Sequence, residues 1–252
     1  MPDIKEIQDA INNGEFFLEY LPVMDLHSGR CLGGEALSRW RRPDGVVSPL
    51  EFLPYVENTL LSGLLTYFVV EQIAKELLDW LNAHDAFVSF NMPPEIIGRG
   101  GVAHVAEKCG LMALKSKVVV EITERGLPDK LAFDAINYGA EQGVRIALDD
   151  VGTSRENLIA LFRCNAEIVK LDRRLISGLR AGAPLPREIE DLAPLLATRR
   201  FKVIAEGVET LHQVDVLRTI GVEMVQGFYY SKPLPAEEFM AFFAQHASPD
   251  PK

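Results

Sequence analysis

Short apolar runs that stop at polar side chains constrain this chain more than any other feature. They read FFLEYLPVMDL, CLGGEALSRW, AFVSFNM, KVVVEITE, VRIALDD, EIVKLD, KVIAEGV and MVQGFYY. Between most of them lie windows with helical spacing, among them 129–142, 186–199 and 210–221. Strand-length runs alternating with helical windows build βα units around a mostly parallel sheet. The first two runs are joined only by His27, Ser28, Gly29 and Arg30. That link is too short for a crossover helix, so the two runs pair antiparallel, a departure from a regular eightfold barrel. With 252 residues and no linker or low-complexity segment, one α/β barrel over 1–246 is the economical organisation, followed by a flexible tail at 247–252.

Helix punctuation supports this division. Ser48, Pro49 and Glu51 offer an N-cap, a proline at the first helical position and a capping-box glutamate, and Gly110, Gly143 and Gly221 fall where C-terminal caps belong. The formal net charge of −10 excludes a nonspecific DNA or RNA duplex-binding surface, which needs clustered cations. Three cysteines, Cys31, Cys109 and Cys164, lack paired spacing and read as core residues in a reducing compartment, so a cytoplasmic location is expected. The polar, amphipathic start is expected to be a helix rather than a signal peptide. The most apolar window, 59–81, is interrupted by Glu71, Gln72 and Lys75, which predicts a buried helix and no membrane span.

The strands end with or contain Glu35, Asn91, Glu121, Asp149 with Asp150, Lys170, Glu206 and Gln226. In a closed barrel such positions converge on the C-terminal mouth, where catalytic groups sit. Any one of them could be an ordinary surface or capping residue, but a series of successive strand ends is harder to explain so. Carboxylates gathered in one place need cations, because repulsion and desolvation otherwise raise their pKa values. Oxygen ligands, with His27, His84, His104, His212 and His246 scattered, favour Mg²⁺ or Mn²⁺ over zinc. Neighbouring strand residues face opposite ways, so Asp149 and Asp150 share a cluster only if the second lies where the strand breaks into its loop. Two such ions suit in-line displacement at phosphorus, with Lys170 stabilising developing charge or holding the cluster as a salt bridge. A Schiff-base role for Lys170 is disfavoured, since the surrounding carboxylates would keep the amine protonated.

From Gly33-Gly34-Glu35-Ala36-Leu37-Ser38-Arg39-Trp40 onward the chain resembles the EAL domain of bacterial cyclic di-GMP phosphodiesterases. SPLEFLPYVE, VSFNM, VEITE, ALDD, VKLD, VIAEGVET and QGFYYSKPLP follow in the family order, over about residues 5–240. The resemblance implies a modified (β/α)8 TIM-like barrel with one antiparallel strand and two Mg²⁺ or Mn²⁺ ions. Glu35, Asn91, Glu121 and Asp149 resemble the ligands of one ion; Asp149, Asp150 and Glu206 resemble those of the other. Lys170 resembles the lysine that contacts the attacking water as cyclic di-GMP opens to linear pGpG. Leu37, Arg39, Asp172 and Gln226 match substrate-side positions, with Asp172 as a supporting acid, and Glu124 matches the glutamate that holds the loop after the paired aspartates. A homodimer and a fused or separate signalling partner are also implied.

Two departures bear on activity. Leu21 stands where the family usually has glutamine, and Val151-Gly152-Thr153-Ser154 replaces Phe-Gly-Thr-Gly. If the position of Ser154 requires φ > 0, serine there costs on the order of 1 kcal/mol, and loss of the aromatic weakens the packing behind Asp150. Weakened turnover is therefore expected. A non-hydrolysing cyclic di-GMP receptor and a protein-interaction domain are the competing expectations.

Overall fold

The computed structural model describes residues 3–123, 130–180, 182–196, 198 and 200–247, apart from the side chains of 130, 131, 155–158, 195 and 196. The strands are β1 (Phe16–Asp25), β2 (Cys31–Arg42), β3 (Gly45–Val47), β4 (Phe87–Asn91), β5 (Val118–Thr123), β6 (Arg145–Val151), β7 (Ile168–Leu171), β8 (Lys202–Ala205) and β9 (Met224–Val225). The helices are α1 (Ile4–Asn12), α2 (Pro49–Val56), α3 (Leu60–Ala83), α4 (Gly101–Lys108) and α5 (Lys130–Glu141), then α6 (Arg155–Arg163), α7 (Arg173–Ser177), α8 (Arg187–Leu196), α9 (Leu211–Thr219) and α10 (Ala236–Gln245). The tail at 248–252 lies outside the described residues.

β1 pairs antiparallel with β2 on one side and with β9 on the other, and β2, β4, β5, β6, β7, β8 and β9 follow as parallel neighbours. The sheet thus closes into an eight-stranded α/β barrel with β1 as its antiparallel member, and β3 extends the β1–β2 hairpin outside it. The four-residue link leaves no other solution: reversal of direction forces β1 to run against both neighbours.

Local chemistry places the helices around this barrel. Ser48 caps α2 through the full capping box with Glu51. Gly110, Gly143 and Gly221 have φ of 83°, 86° and 81°, the left-handed geometry that lets a chain leave a helix and enter a strand. The window at 59–81 becomes α3, whose Val70, Ile73, Leu77 and Leu81 are buried against the outside of the barrel. α10 closes the hairpin side: Phe239 stacks on Tyr20 and meets Trp80 edge-on, while Phe243 packs on Trp80. All three cysteines are free, with Cys31 and Cys164 buried.

Inside the barrel the two-residue period of the strands separates chemistry by height. Val23, Phe87, Val119, Ala147, Ile168, Ile204 and Met224 form an apolar plug. Two residues after six of these positions come Ser89, Glu121, Asp149, Lys170, Glu206 and Gln226. The interior therefore changes from apolar to polar within one pleat. Gly33 permits the close approach of β2 and β4 near this level, because a Cβ there would lie 2.1 Å from the carbonyl oxygen of Phe87. Gly33→Ala is expected to destabilise the barrel by about 1–3 kcal/mol, visible as a lower urea midpoint; an unchanged midpoint would show that the strands yield without cost.

Candidate active site and metal centre

Lys170 organises the polar level. Its Nζ, fully buried, lies 2.7 Å from Glu121 Oε2, 2.7 Å from Glu206 Oε1, 3.1 Å from Glu35 Oε2 and 3.3 Å from Asp149 Oδ1. These five side chains come from β2, β5, β6, β7 and the residue after β8, so barrel closure alone brings them together. Asn91 donates to Glu35 Oε1 at 3.0 Å, and Gln226 donates to Glu35 Oε2 at 2.7 Å and to Glu206 Oε1 at 3.0 Å.

Asp150 reaches the same centre by a route other than the one expected from sequence. β6 does not break after Asp149; it pairs again with β7 at Val151, and the register shifts between Leu148 and Val151. The extra residue is a β-bulge, with Asp150 at φ 55° and its N–H donating to Asp149 Oδ1 at 2.9 Å. A bulge re-aims a side chain without ending the strand, and aspartate tolerates left-handed geometry better than most residues. Ligand oxygens of Asp149, Asp150 and Glu206 consequently lie within 4.8 Å of one another.

The loop departures have less structural effect than the sequence suggests. Asn58 and Asp150 are the non-glycine residues with positive φ among the described residues, so Ser154 does not occupy the geometry that would penalise a side chain. Val151 is buried in the main core and pairs with Leu171, so it fills its position behind the bulge without an aromatic ring. Leu21 is the register partner of Glu35 on β1 and stands half-buried on the same side of the hairpin, where it offers no hydrogen bond.

The remaining sequence candidates divide. Leu37 lines a cleft of about 470 Å³ that also borders Asn91, Glu121, Asp149 and Asp150. Arg39 holds Glu19 at 2.7 Å and the carbonyl of Ser38 at 3.0 Å. Asp172 caps α7 through the N–H of Arg174 and pairs with its guanidinium, a structural role that the sequence does not announce. Glu124 lies outside the described residues. Further residues at the site are Ser89, inward by the same strand period as its neighbours and so readable from sequence, and Glu57, Asn58 and Glu95 on the cleft wall, which no periodic signal marks.

Electrostatics explains what this arrangement demands. Burial would lower the pKa of Lys170, but Asp149, Glu121, Glu206 and Glu35 together push it well above the ordinary lysine range. Burial also raises Glu121, Asp149 and Glu206, reinforced by their mutual charge; Glu206 is pushed up to about 8. Glu35 goes the other way: burial would raise it, but Lys170 and the bonds from Gln226, Lys170 and Asn91 hold it low. Five carboxylates face one buried ammonium, an excess that protons or divalent cations must answer. The donor set contains only oxygen atoms besides that amine, and Gln226 Oε1 is buried without a partner among the described residues. Such donors fit hard ions of the Mg²⁺ or Mn²⁺ type.

The sequence pattern of the EAL domain matches residues 4–233. The chain belongs to the EAL domain family. It is 32% identical over 245 residues to the probable cyclic di-GMP phosphodiesterase PdeB of Escherichia coli, covering 95% of this chain and 47% of that protein. It is 29% identical to the bifunctional diguanylate cyclase/cyclic di-GMP phosphodiesterase MucR of Pseudomonas aeruginosa, covering 96% of this chain and 36% of that one. This EAL chain therefore spans about half the length, or less, of these relatives. Among solved structures, the PaMucR phosphodiesterase in complex with c-di-GMP superposes with a TM-score of 0.84 at 28% identity, over 94% of this chain and 98% of that one.

A carboxyl whose folded pKa exceeds its unfolded value supports folding while protonated and loses that support as pH rises through the folded value. Metal-free EAL protein should therefore lose stability as pH rises above the ordinary carboxylate range, with the Glu206 contribution lost as pH rises through about 8. Excess Mg²⁺ or Mn²⁺ should flatten the profile; thermal melts that show no metal effect at pH 8–9 would count against the centre. Lys170→Met, which strips the carboxylates of their buried partner, should cost about 3–5 kcal/mol at pH 7 without metal and less at pH 5. Urea titration at the two pH values checks this.

Proposed function

We propose that this EAL domain hydrolyses cyclic di-GMP to linear pGpG with two divalent ions, Mg²⁺ or Mn²⁺. The observation that carries the proposal is the convergence of Glu35, Glu121, Asp149 and Glu206 on Lys170, with Asp150 turned into the same centre. Glu35, Asn91, Glu121 and Asp149 would hold one ion, and Asp149, Asp150 and Glu206 the other. When bound, such a pair activates water and screens the charge of a phosphodiester undergoing in-line displacement.

The protein's own groups divide the remaining work. Lys170 stays protonated among its carboxylates, so it is no base; its ammonium donates to the attacking water or to a phosphoryl oxygen. Asn91 and Gln226 fix Glu35 from two sides, and Gln226 also fixes Glu206. Leu37 supplies cleft wall, while Arg39, oriented by Glu19, retains N–H groups for a substrate phosphate. Asp172 supports the site from the start of α7, and Glu124 would steady the loop that follows the bulge. Water adds to phosphorus as the bond to the 3′ oxygen breaks, leaving a 5′-phosphate at one end and a 3′-hydroxyl at the other.

A cytoplasmic setting agrees with the three free thiols. A homodimer agrees with exposed Tyr138 on α5 and with Ile159 and Phe162 on α6. One observation favours a second reading, a receptor that binds without hydrolysing: Leu21 beside Glu35 removes a polar contact from the site wall.

Purified protein incubated with cyclic di-GMP and Mg²⁺ or Mn²⁺ should yield pGpG by chromatography, and Glu35→Ala should lower the rate by at least 100-fold, on the scale of a displaced catalytic ligand of about 1 Å. Binding without turnover would favour the receptor. Ser154→Gly should leave the rate within about twofold, because that position requires no left-handed backbone and exposed substitutions are usually near neutral. A large gain would show that the loop limits catalysis.

A further inference from the structure

The cleft that borders the carboxylates also reaches two segments that the metal chemistry does not use. One is the turn between α2 and α3, carrying Glu57 and Asn58; the other is Pro93–Glu95, just after β4. Leu53, Pro93 and Pro94 line it with apolar surface, and Asn58 and Glu95 line it with polar groups.

Two observations single out this part of the cleft. The non-glycine residues with positive φ among the described residues, Asn58 at 58° and Asp150 at 55°, both line this one cavity. Unusual backbone geometry collected around a single cleft motivates a functional reading of both ends. The Asn58 N–H also donates to Glu95 Oε1 at 2.8 Å, across 37 positions of sequence. This bond ties the two segments together and fixes the carboxylate on the cleft wall. A carboxylate offers about four acceptor positions, and the Asn58 N–H takes one. Glu95 makes no ion pair among the described residues. An uncompensated carboxylate in a cleft for a dianionic nucleotide would repel the phosphates unless it faced a part of the ligand rich in donors.

We propose that Glu95 is a specificity-determining residue whose carboxylate accepts hydrogen bonds from N1–H and the exocyclic amine of one guanine base, seated against Leu53, Pro93 and Pro94. The proposal rests on cyclic di-GMP as the ligand. Guanine presents two adjacent donors on that edge, which match two carboxylate oxygens. Adenine presents an acceptor at the corresponding ring nitrogen, so the same carboxylate rejects it. Asn58 is a positioning residue that acts through Glu95.

The test compares cyclic di-GMP with its inosine analogue, which keeps N1–H and lacks the exocyclic amine, in wild type and Glu95→Gln. The readout is KM with Mg²⁺, or Kd if the protein binds without turnover. Wild type should prefer guanine by on the order of tenfold or more, the scale of a hydrogen bond to a charged group. In Glu95→Gln, which keeps an acceptor for the Asn58 N–H but not the paired acceptors, that preference should fall to near unity. Glu95→Gln with the wild-type preference would overturn the proposal and leave the carboxylate a structural tie. Equal affinity of wild type for the two nucleotides would overturn it as well, while leaving the phosphodiesterase reading intact. If wild type binds neither nucleotide, the proposal falls together with the cyclic di-GMP reading.

Discussion

A single ammonium surrounded by carboxylates governs the interior of this barrel. Burying Lys170 alone would be costly, and burying Glu35, Glu121, Asp149 and Glu206 alone would be costlier. Neither set is tolerable without the other, and the pair remains unbalanced because Asp150 adds a further negative group beside Glu206. Replacement of such a polar centre by well-packed hydrophobic residues is often neutral or stabilising elsewhere. Its presence is therefore better explained by what it can bind than by what it adds to folding.

The closed sheet makes that concentration of charge possible. Each contributing side chain sits on a different strand or at its end, and each is held from behind by a layer of buried apolar residues between sheet and helices. Geometry at the centre is thus set by strand register rather than by loop conformation. The exception is the β6 bulge, where one additional residue converts a pair of oppositely facing aspartates into two groups at one site.

Much of this was legible in the sequence because strand period and barrel closure are rules of geometry. The antiparallel β1 followed from a four-residue link, and the convergence of Glu35, Asn91, Glu121, Asp149, Lys170, Glu206 and Gln226 followed from their places in successive strands. The bulge was not legible: the Asp-Asp pair signals that something must re-aim one carboxylate, but both a strand end and a bulge satisfy that need. Nor could sequence rank the loop departures, since whether Ser154 carries a penalty depends on a dihedral angle and whether Val151 leaves a void depends on its neighbours. The capping role of Asp172 was not legible for a similar reason, because a carboxylate after a strand can face the barrel mouth or cap the helix that follows. The Asn58–Glu95 tie joins residues distant in sequence with no periodic signal between them.

The apolar plug formed by Val23, Phe87, Val119, Ala147, Ile168, Ile204 and Met224 has a kinetic consequence. Among the described residues it makes the charged level the floor of a chamber closed toward the opposite end of the barrel. In the proposed reaction, ions, water, nucleotide and product would share one opening, so departure of one occupant would gate arrival of the next. A long, two-based product crossing that opening would make clearance of the chamber, rather than bond cleavage, a natural place for the turnover rate to be set.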